Sequence, residues 1–170
     1  TNRINNTENS RNILAFSDLG ESQPQNIEGN PGNLSPSPYP SNQSNGLYNY
    51  LNSTTGAGPA IRGFNGAVAQ LSAQGSVTPG PFTQAIHYEK VENARKLSES
   101  EYTYNSLLGF ISLSQPLNND EVLAVAYEYT LRGETYQVGE FSTDGVAGQN
   151  ALYLKLLKPT ITNPTLKIWD

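Results

Sequence analysis

Ser98-Glu-Ser-Glu-Tyr-Thr-Tyr-Asn-Ser-Leu-Leu-Gly-Phe-Ile-Ser-Leu-Ser-Gln-Pro-Leu-Asn-Asn-Asp-Glu-Val-Leu-Ala-Val-Ala-Tyr-Glu-Tyr-Thr130 is the stretch that decides the fold. It reads as strand, turn, strand, turn, strand. Aromatic and β-branched residues fill the strands, and Gly, Pro, Asn and Asp fill the breaks between them. Residues 121–131 form the clearest strand. Leu123, Val125, Tyr127, Tyr129 and Leu131 share one face, while Val122, Ala124 and Ala126 share the other. One face is bulky and the other small but apolar, so both are expected to be covered, as in a sandwich.

Downstream, Arg132-Gly133 supplies a hairpin turn, and residues 134–141 return as an antiparallel partner. Residues 142–150 form a Gly-rich loop. Residues 151–158 alternate again, with Leu152, Leu154 and Leu156 on the expected buried face, and Pro159 and Pro164 mark the exit. Upstream, residues 82–97 are mixed. Ile86, Tyr88 and Lys90 would share a strand face, with His87, Glu89 and Val91 opposite, and residues 89–97 suit a helix equally well.

Before the breaker Pro79-Gly80-Pro81 the pattern changes. Leu47, Tyr48 and Leu51 have helical spacing, and Ala67, Val68 and Leu71 repeat it after Gly66. Asn45 or Gly46 can cap the first piece and Gly75 can end the second. Gly56, Gly58 and Pro59 read as breakers between them. Residues 13–19 form a short apolar strand closed by Gly20. Residues 21–45 are dominated by Ser, Pro, Asn, Gln and Gly, with Pro36, Pro38 and Pro40 forbidding ladder bonds at alternate positions. This is a long connector, with residues 23–45 the candidate mobile contact element.

The expected fold is therefore mainly β, with sandwich-like antiparallel sheets and one or two short helices within residues 46–75. The organisation is an N-terminal strand segment (1–22), a Pro/Ser/Asn-rich loop (23–45) and a β-rich domain with short helices at its start (46–170). Together these make one domain, expected to be a piece of a larger protein.

The chain has 170 residues and a net charge of -5, from Lys+Arg 10 against Asp+Glu 15. Acidity without a basic cluster argues against nucleic acid as a partner. No apolar run has the length of a membrane-spanning helix. Cysteine is absent, so no disulfide can form.

Several segments resemble, in order, the SprA/Sov family of gliding-motility and type IX secretion proteins of the Bacteroidota outer membrane. They are Ala94-Arg-Lys-Leu-Ser-Glu-Ser-Glu-Tyr-Thr-Tyr-Asn105, Leu108-Gly-Phe-Ile-Ser-Leu113, Leu117-Asn-Asn-Asp-Glu-Val-Leu-Ala-Val-Ala-Tyr-Glu-Tyr129 and Tyr136-Gln-Val-Gly-Glu-Phe-Ser142. Thr1-Asn-Arg with Ala15-Phe-Ser-Asp-Leu-Gly20, residues 152–158 and Ile168-Trp-Asp170 are also similar, whereas residues 21–84 match weakly. The resemblance implies a soluble, non-catalytic structural part of the type IX translocon. It would be attached to the outer-membrane barrel on the periplasmic or extracellular side. It also implies other parts of the same translocon as partners, with a PorV-type shuttle barrel and secreted cargo beyond them. It implies no catalytic residue and no cofactor.

Read without the family, the same residues fit a carbohydrate-binding or adhesin β-sandwich module of a bacterial surface protein. Tyr48, Tyr50, Tyr102 and Tyr104 lie beside polar segments and form the candidate contact surface for a sugar or an extended peptide. Core or cross-strand packing is the competing expectation for these tyrosines.

His87 is the single histidine. With no Cys and no G-x-S-x-G elbow, it is expected on a strand face or the surface rather than in a triad or zinc site. Two oxygen-rich turns, Asn118-Asn-Asp-Glu121 and Ser142-Thr-Asp-Gly145, invite calcium but lack EF-hand spacing, so ordinary turn chemistry is expected of them. Glu89, Glu92, Glu99 and Glu101 could include a glycosidase pair, but solvated acids are the commoner outcome. Sequons at Asn5, Asn33, Asn42 and Asn52 are expected by chance in so Asn-rich a chain. Trp169 is expected to pack on a following segment.

Overall fold

The computed structural model describes residues 10–19, 39–74 and 81–161. Most of the Pro/Ser/Asn-rich loop, Trp169 and the segments around Thr1, Gly75 and Pro164 lie outside those residues. The fold is mainly β. Four strands form one sheet: β1 (Ser10–Phe16), β2 (Tyr88–Arg95), β5 (Leu123–Val125) and β8 (Leu152–Lys158), in the order β2-β1-β8-β5. Two ribbons stand apart from it, β3 (Tyr102–Asn105) with β4 (Phe110–Leu113), and β6 (Tyr127–Leu131) with β7 (Glu134–Val138). Among the described strands all pairings are antiparallel except β1 with β8.

The central pair explains why β1 reads Ile13-Leu-Ala-Phe16 without alternation. Parallel central strands are covered on both faces and so are apolar on both. Ile13, Leu14, Ala15 and Phe16 are all buried, as are Leu152, Tyr153 and Leu156 on β8. The expected inward face of the last strand, Leu152, Leu154 and Leu156, is thus half of the answer. Tyr153, on the other face, is fully buried and packs edge-on against Phe16 at 5.8 Å.

Three short helices lie against the core: α1 (Gly46–Leu51), α2 (Gly58–Arg62) and α3 (Ala67–Ser72). Asn45 caps α1, its side chain accepting from the Tyr48 amide at 3.1 Å. The extra helix is α2, where Gly58-Pro59 looked like a break. Proline in the first turn of a helix, here its second residue, lacks only a donor that would have been unpaired anyway. Leu47, Leu51, Ile61, Phe64, Ala67 and Leu71 from this region join Leu14, Phe16, Tyr88, Val138 and Tyr153 in one apolar cluster. Tyr127 and Tyr129 of the β6–β7 ribbon pack on its margin, so helices, ribbon and sheet share one core.

Two sequence expectations change. Residues 89–97 are not helical. β2 pairs antiparallel with β1, Phe16 opposite Tyr88 and Ile13 opposite Val91. The long strand over residues 121–131 is two strands. β5 belongs to the central sheet and β6 to its own ribbon, with the break at Ala126. The break lies against Gly139, across the chain. A Cβ placed there would sit 3.0 Å from the Ala126 Cβ and 3.2 Å from the Val125 carbonyl oxygen. The two backbones touch at that point, and the strand changes sheets.

The C-terminal end of the predicted connector is packed. Ser41, Asn42, Ser44 and Asn45 are buried, and Asn42 bonds both backbone groups of Gly139, its Nδ2 donating to the oxygen and its Oδ1 accepting from the nitrogen, each at 2.8 Å. Among the described residues, no helix is long and apolar enough to cross a membrane.

Candidate contact surface and the buried ionic latch

Two features stand out. The first is a buried ionic cluster. Arg62, the last residue of α2, directs Nη1 to Glu140 Oε2 at 2.6 Å and Nη2 to Oε1 at 2.8 Å. Tyr48 of α1 donates its hydroxyl to Glu140 Oε1 at 2.9 Å, and the Tyr153 amide of β8 donates to Oε2 at 2.9 Å. Each carboxylate oxygen of Glu140 therefore accepts two bonds, which saturates it. Arg62 also donates to the Ala151 carbonyl at 3.0 Å and to Asn52 Oδ1 at 2.6 Å, and its guanidinium lies 3.7 Å over the Tyr153 ring. One carboxylate thus ties two helices to the central sheet.

The electrostatics follow from this geometry. Burial first, then the charge and hydrogen bond of Glu140, push the Tyr48 phenol well above its ordinary value. Burial likewise pushes Tyr153 up, against the opposing pull of Arg62. Both phenols stay neutral, and Tyr153 donates its hydroxyl to the Leu51 carbonyl at 3.2 Å.

Beside this latch is an open cleft of about 730 Å³, lined in part by Tyr48, Asn52, Arg62, Glu140, Asp144 and Asn150. Its second acid, Asp144, accepts from the Phe141 amide at 2.8 Å and from Gln137 Nε2 at 2.6 Å through one oxygen. Arg11 pins the Gly-rich rim by donating to the carbonyls of Val146 and Ala147 at 3.0 and 3.1 Å.

The second feature is the β3–β4 ribbon. Tyr102 pairs with Leu113 and Tyr104 with Ile111, which gives the ribbon one apolar face. At its turn Leu107 is 95% exposed and Leu108 74%, with Tyr104 at 63% and Phe110 at 47%. The turn is built, not loose. Asn105 Oδ1 accepts from the amides of Leu107 and Leu108 at 3.1 and 2.9 Å, and the Asn105 carbonyl accepts from the Gly109 amide at 2.8 Å. Gly109 has φ +68, a conformation other residues resist. At the root, Arg95 meets Glu101 at 2.7 and 2.8 Å, and Ser98 donates to Glu101 from both its amide and its hydroxyl. Arg95 first, then the Ser98 amide, hold the Glu101 carboxyl down at about 2.

The four candidate tyrosines divide between these features. Tyr48 belongs to the latch, and Tyr50 packs at the margin of the core cluster. Tyr102 and Tyr104 stand on the separate ribbon, where Tyr104 is the exposed member. Sequence reading missed Leu107 and Leu108, although the signal was present. From Tyr102 through Asn119 there is no Asp, Glu, Lys, Arg or His. Glu140 and Arg62, far apart in sequence, left no local signal.

Several of the remaining candidates have structural partners. His87 Nδ1 accepts from the Thr83 amide at 2.8 Å in the turn before β2. Glu89 is buried and accepts from the Thr160 amide and hydroxyl at 2.7 and 2.6 Å. In the first oxygen-rich turn the Asn118 amide donates to Glu121, while Lys158 Nζ occupies the carbonyls of Asn119 and Glu121 at 3.0 and 2.7 Å. Among the described residues no three His, Cys, Asp or Glu side chains cluster as a metal site would require. Compared with known protein families and with curated proteins, the chain has no significant match.

Proposed function

We infer that the chain is a non-catalytic structural domain of a SprA/Sov-like protein, part of the type IX secretion and gliding machinery at the outer membrane. The ordered resemblance of its segments supports this reading. The observation that carries it is the use made of the polar groups. The carboxylates of the cleft, Glu140 and Asp144, bond to the protein's own amides, guanidinium and phenol. Such groups hold a scaffold in shape rather than move protons. Among the described residues the most exposed large apolar side chains, Leu107, Leu108 and Tyr104, stand instead on a ribbon built to present them, as suits contact beyond the domain itself.

The test is the parent reading frame and its deletion. Tilted strands of about ten residues with alternating apolar positions should flank this region. Removal of residues 10–161 should abolish gliding and cargo export while the barrel remains in the membrane. A frame without such strands, or full export after the deletion, overturns the reading.

The carbohydrate-binding alternative draws on one observation, a recess of about 560 Å³ beside the ribbon, lined in part by Tyr104, Asn105, Phe110 and Ser112. An aromatic ring with neighbouring amide and hydroxyl groups is a sugar-binding chemistry. Polysaccharide binding that is lost on Tyr104→Ala would favour it.

A further inference from the structure

We propose that the β3–β4 ribbon is a membrane-docking finger whose apex enters the interface of a zwitterionic phospholipid leaflet. Its large side chains are ordered along it. Leu107 and Leu108 form the apex, Tyr104 and Phe110 come next, and the first charges, Glu101 and Arg95, stand at the root. That order repeats a leaflet's own, with hydrocarbon innermost, then an aromatic layer, then headgroups and water.

Three amides at the apex are prepared for a dry environment. Lipid offers amides no partners, so exposed donors there are costly. The Leu107, Leu108 and Gly109 amides are already bonded to Asn105. Reach fits as well. Four strand residues between root and turn span about 13 Å, whereas a headgroup layer is roughly 5–8 Å deep. The root carboxylates can therefore stay in water while the leucines touch acyl chains.

Charge selects the lipid. Nothing between Tyr102 and Asn119 is cationic, and the flanking residues are Arg95 and Lys96 against Glu99, Glu101, Asp120 and Glu121. An anionic surface draws basic clusters, so it gains nothing here. A protein partner fits less well. Four side chains fall far short of the roughly 800 Å² per partner of a stable interface, and the same holds for a second copy of this chain. Like a single acyl chain, the finger would dock weakly and reversibly, orienting a domain held by other means.

The absence of cysteine makes the test direct. Leu107→Cys in the full chain takes one environment-sensitive fluorophore, and Asp120→Cys carries the same label as a control. Vesicles of phosphatidylcholine and phosphatidylethanolamine should blue-shift the label at 107, with quenching by shallow spin-labelled lipid and no loss in high salt. The label at 120 should not respond. Leu108→Asp should abolish the shift with an unchanged circular dichroism spectrum, because the side chain is exposed. No shift at high lipid, a shift that needs anionic lipid and vanishes in salt, equal shifts at both positions, or a shift with protein concentration alone would each overturn the proposal. The last result would assign the apex to self-association. The vesicle assay and the translocon deletion can fail independently.

Discussion

Arg62 and Glu140 face each other through two parallel bonds, 2.6 and 2.8 Å long, at the join between helices and sheet. Their side chains are 13% and 4% exposed, so water screens the pair little. Removing one member leaves the other's charge buried without its partner, which costs about 3–5 kcal/mol. Arg62→Ala is expected to lower unfolding free energy by that amount in urea titrations. Arg62→Lys should recover only part, because an ammonium cannot make both bonds. Arg62→Met with Glu140→Leu should lose less than the two single changes to Met and Leu combined. Strict additivity would show that the two residues do not act as a unit.

The same latch predicts an alkaline limit. Burial raises the Tyr48 and Tyr153 phenols above their ordinary value of 10, so the folded state holds them neutral. For a group raised in the folded state, stability is complete below the unfolded value and falls as pH climbs past it. The contribution of these two phenols to unfolding free energy should therefore be flat up to pH 10 and decline above it. Near-ultraviolet absorbance should show these two phenols ionising only as the chain unfolds. Tyr153→Phe should shrink the alkaline decline and, at neutral pH, cost about 1 kcal/mol for the lost bond to Leu51.

Much of this architecture is legible in the sequence because its causes are local. Residues 102–105, 110–113 and 134–138 carry strand-forming side chains bounded by turn residues, and Arg132-Gly133 takes the positive φ values of 55 and 84 that a two-residue hairpin turn needs. What escaped the reading has non-local causes. The break at Ala126 falls where Gly139 packs against it, and β2 is a strand paired along β1. Glu140 looks like any acid after a strand until Arg62 and Tyr48 are brought to it. Tyr48 and Tyr104 both read as candidate contacts, yet one is committed to the latch and the other exposed. Only the packing distinguishes them.

Glu101 gives the ribbon an acid-side signature. Its folded carboxyl sits near 2 against an ordinary 4.5, so the bonds it makes are complete above 4.5 and lost as pH falls through about 2. A carbon-detected titration should place its midpoint near 2, with the Ser98 amide moving in step. Arg95→Ala should return the midpoint toward the ordinary value. The pair is exposed, so added salt should weaken the effect. A midpoint already near 4.5 in the unaltered chain would mean that the root of the ribbon is not held by this pair.

Two glycines separate backbone strain from backbone contact. At Gly133, with φ +84, a Cβ would meet nothing within 4 Å, whereas at Gly139, with φ +79, it would stand only 3.0 Å from the Ala126 Cβ. Alanine at either site must adopt a left-handed backbone, at about 1–2 kcal/mol. At Gly139 it must also push apart two backbones, one of which Asn42 holds in place through the Gly139 amide and carbonyl. Overpacking of that kind adds about 1–3 kcal/mol. Gly139→Ala should therefore cost about 2–5 kcal/mol in chemical denaturation, and Gly133→Ala only the strain term. Asn42→Ala should ease part of the Gly139→Ala penalty, since it frees the strand to shift, so the double change should cost less than the two single changes combined. Equal penalties at the two glycines would mean that the strand breaks at Ala126 for some reason other than its contact with Gly139.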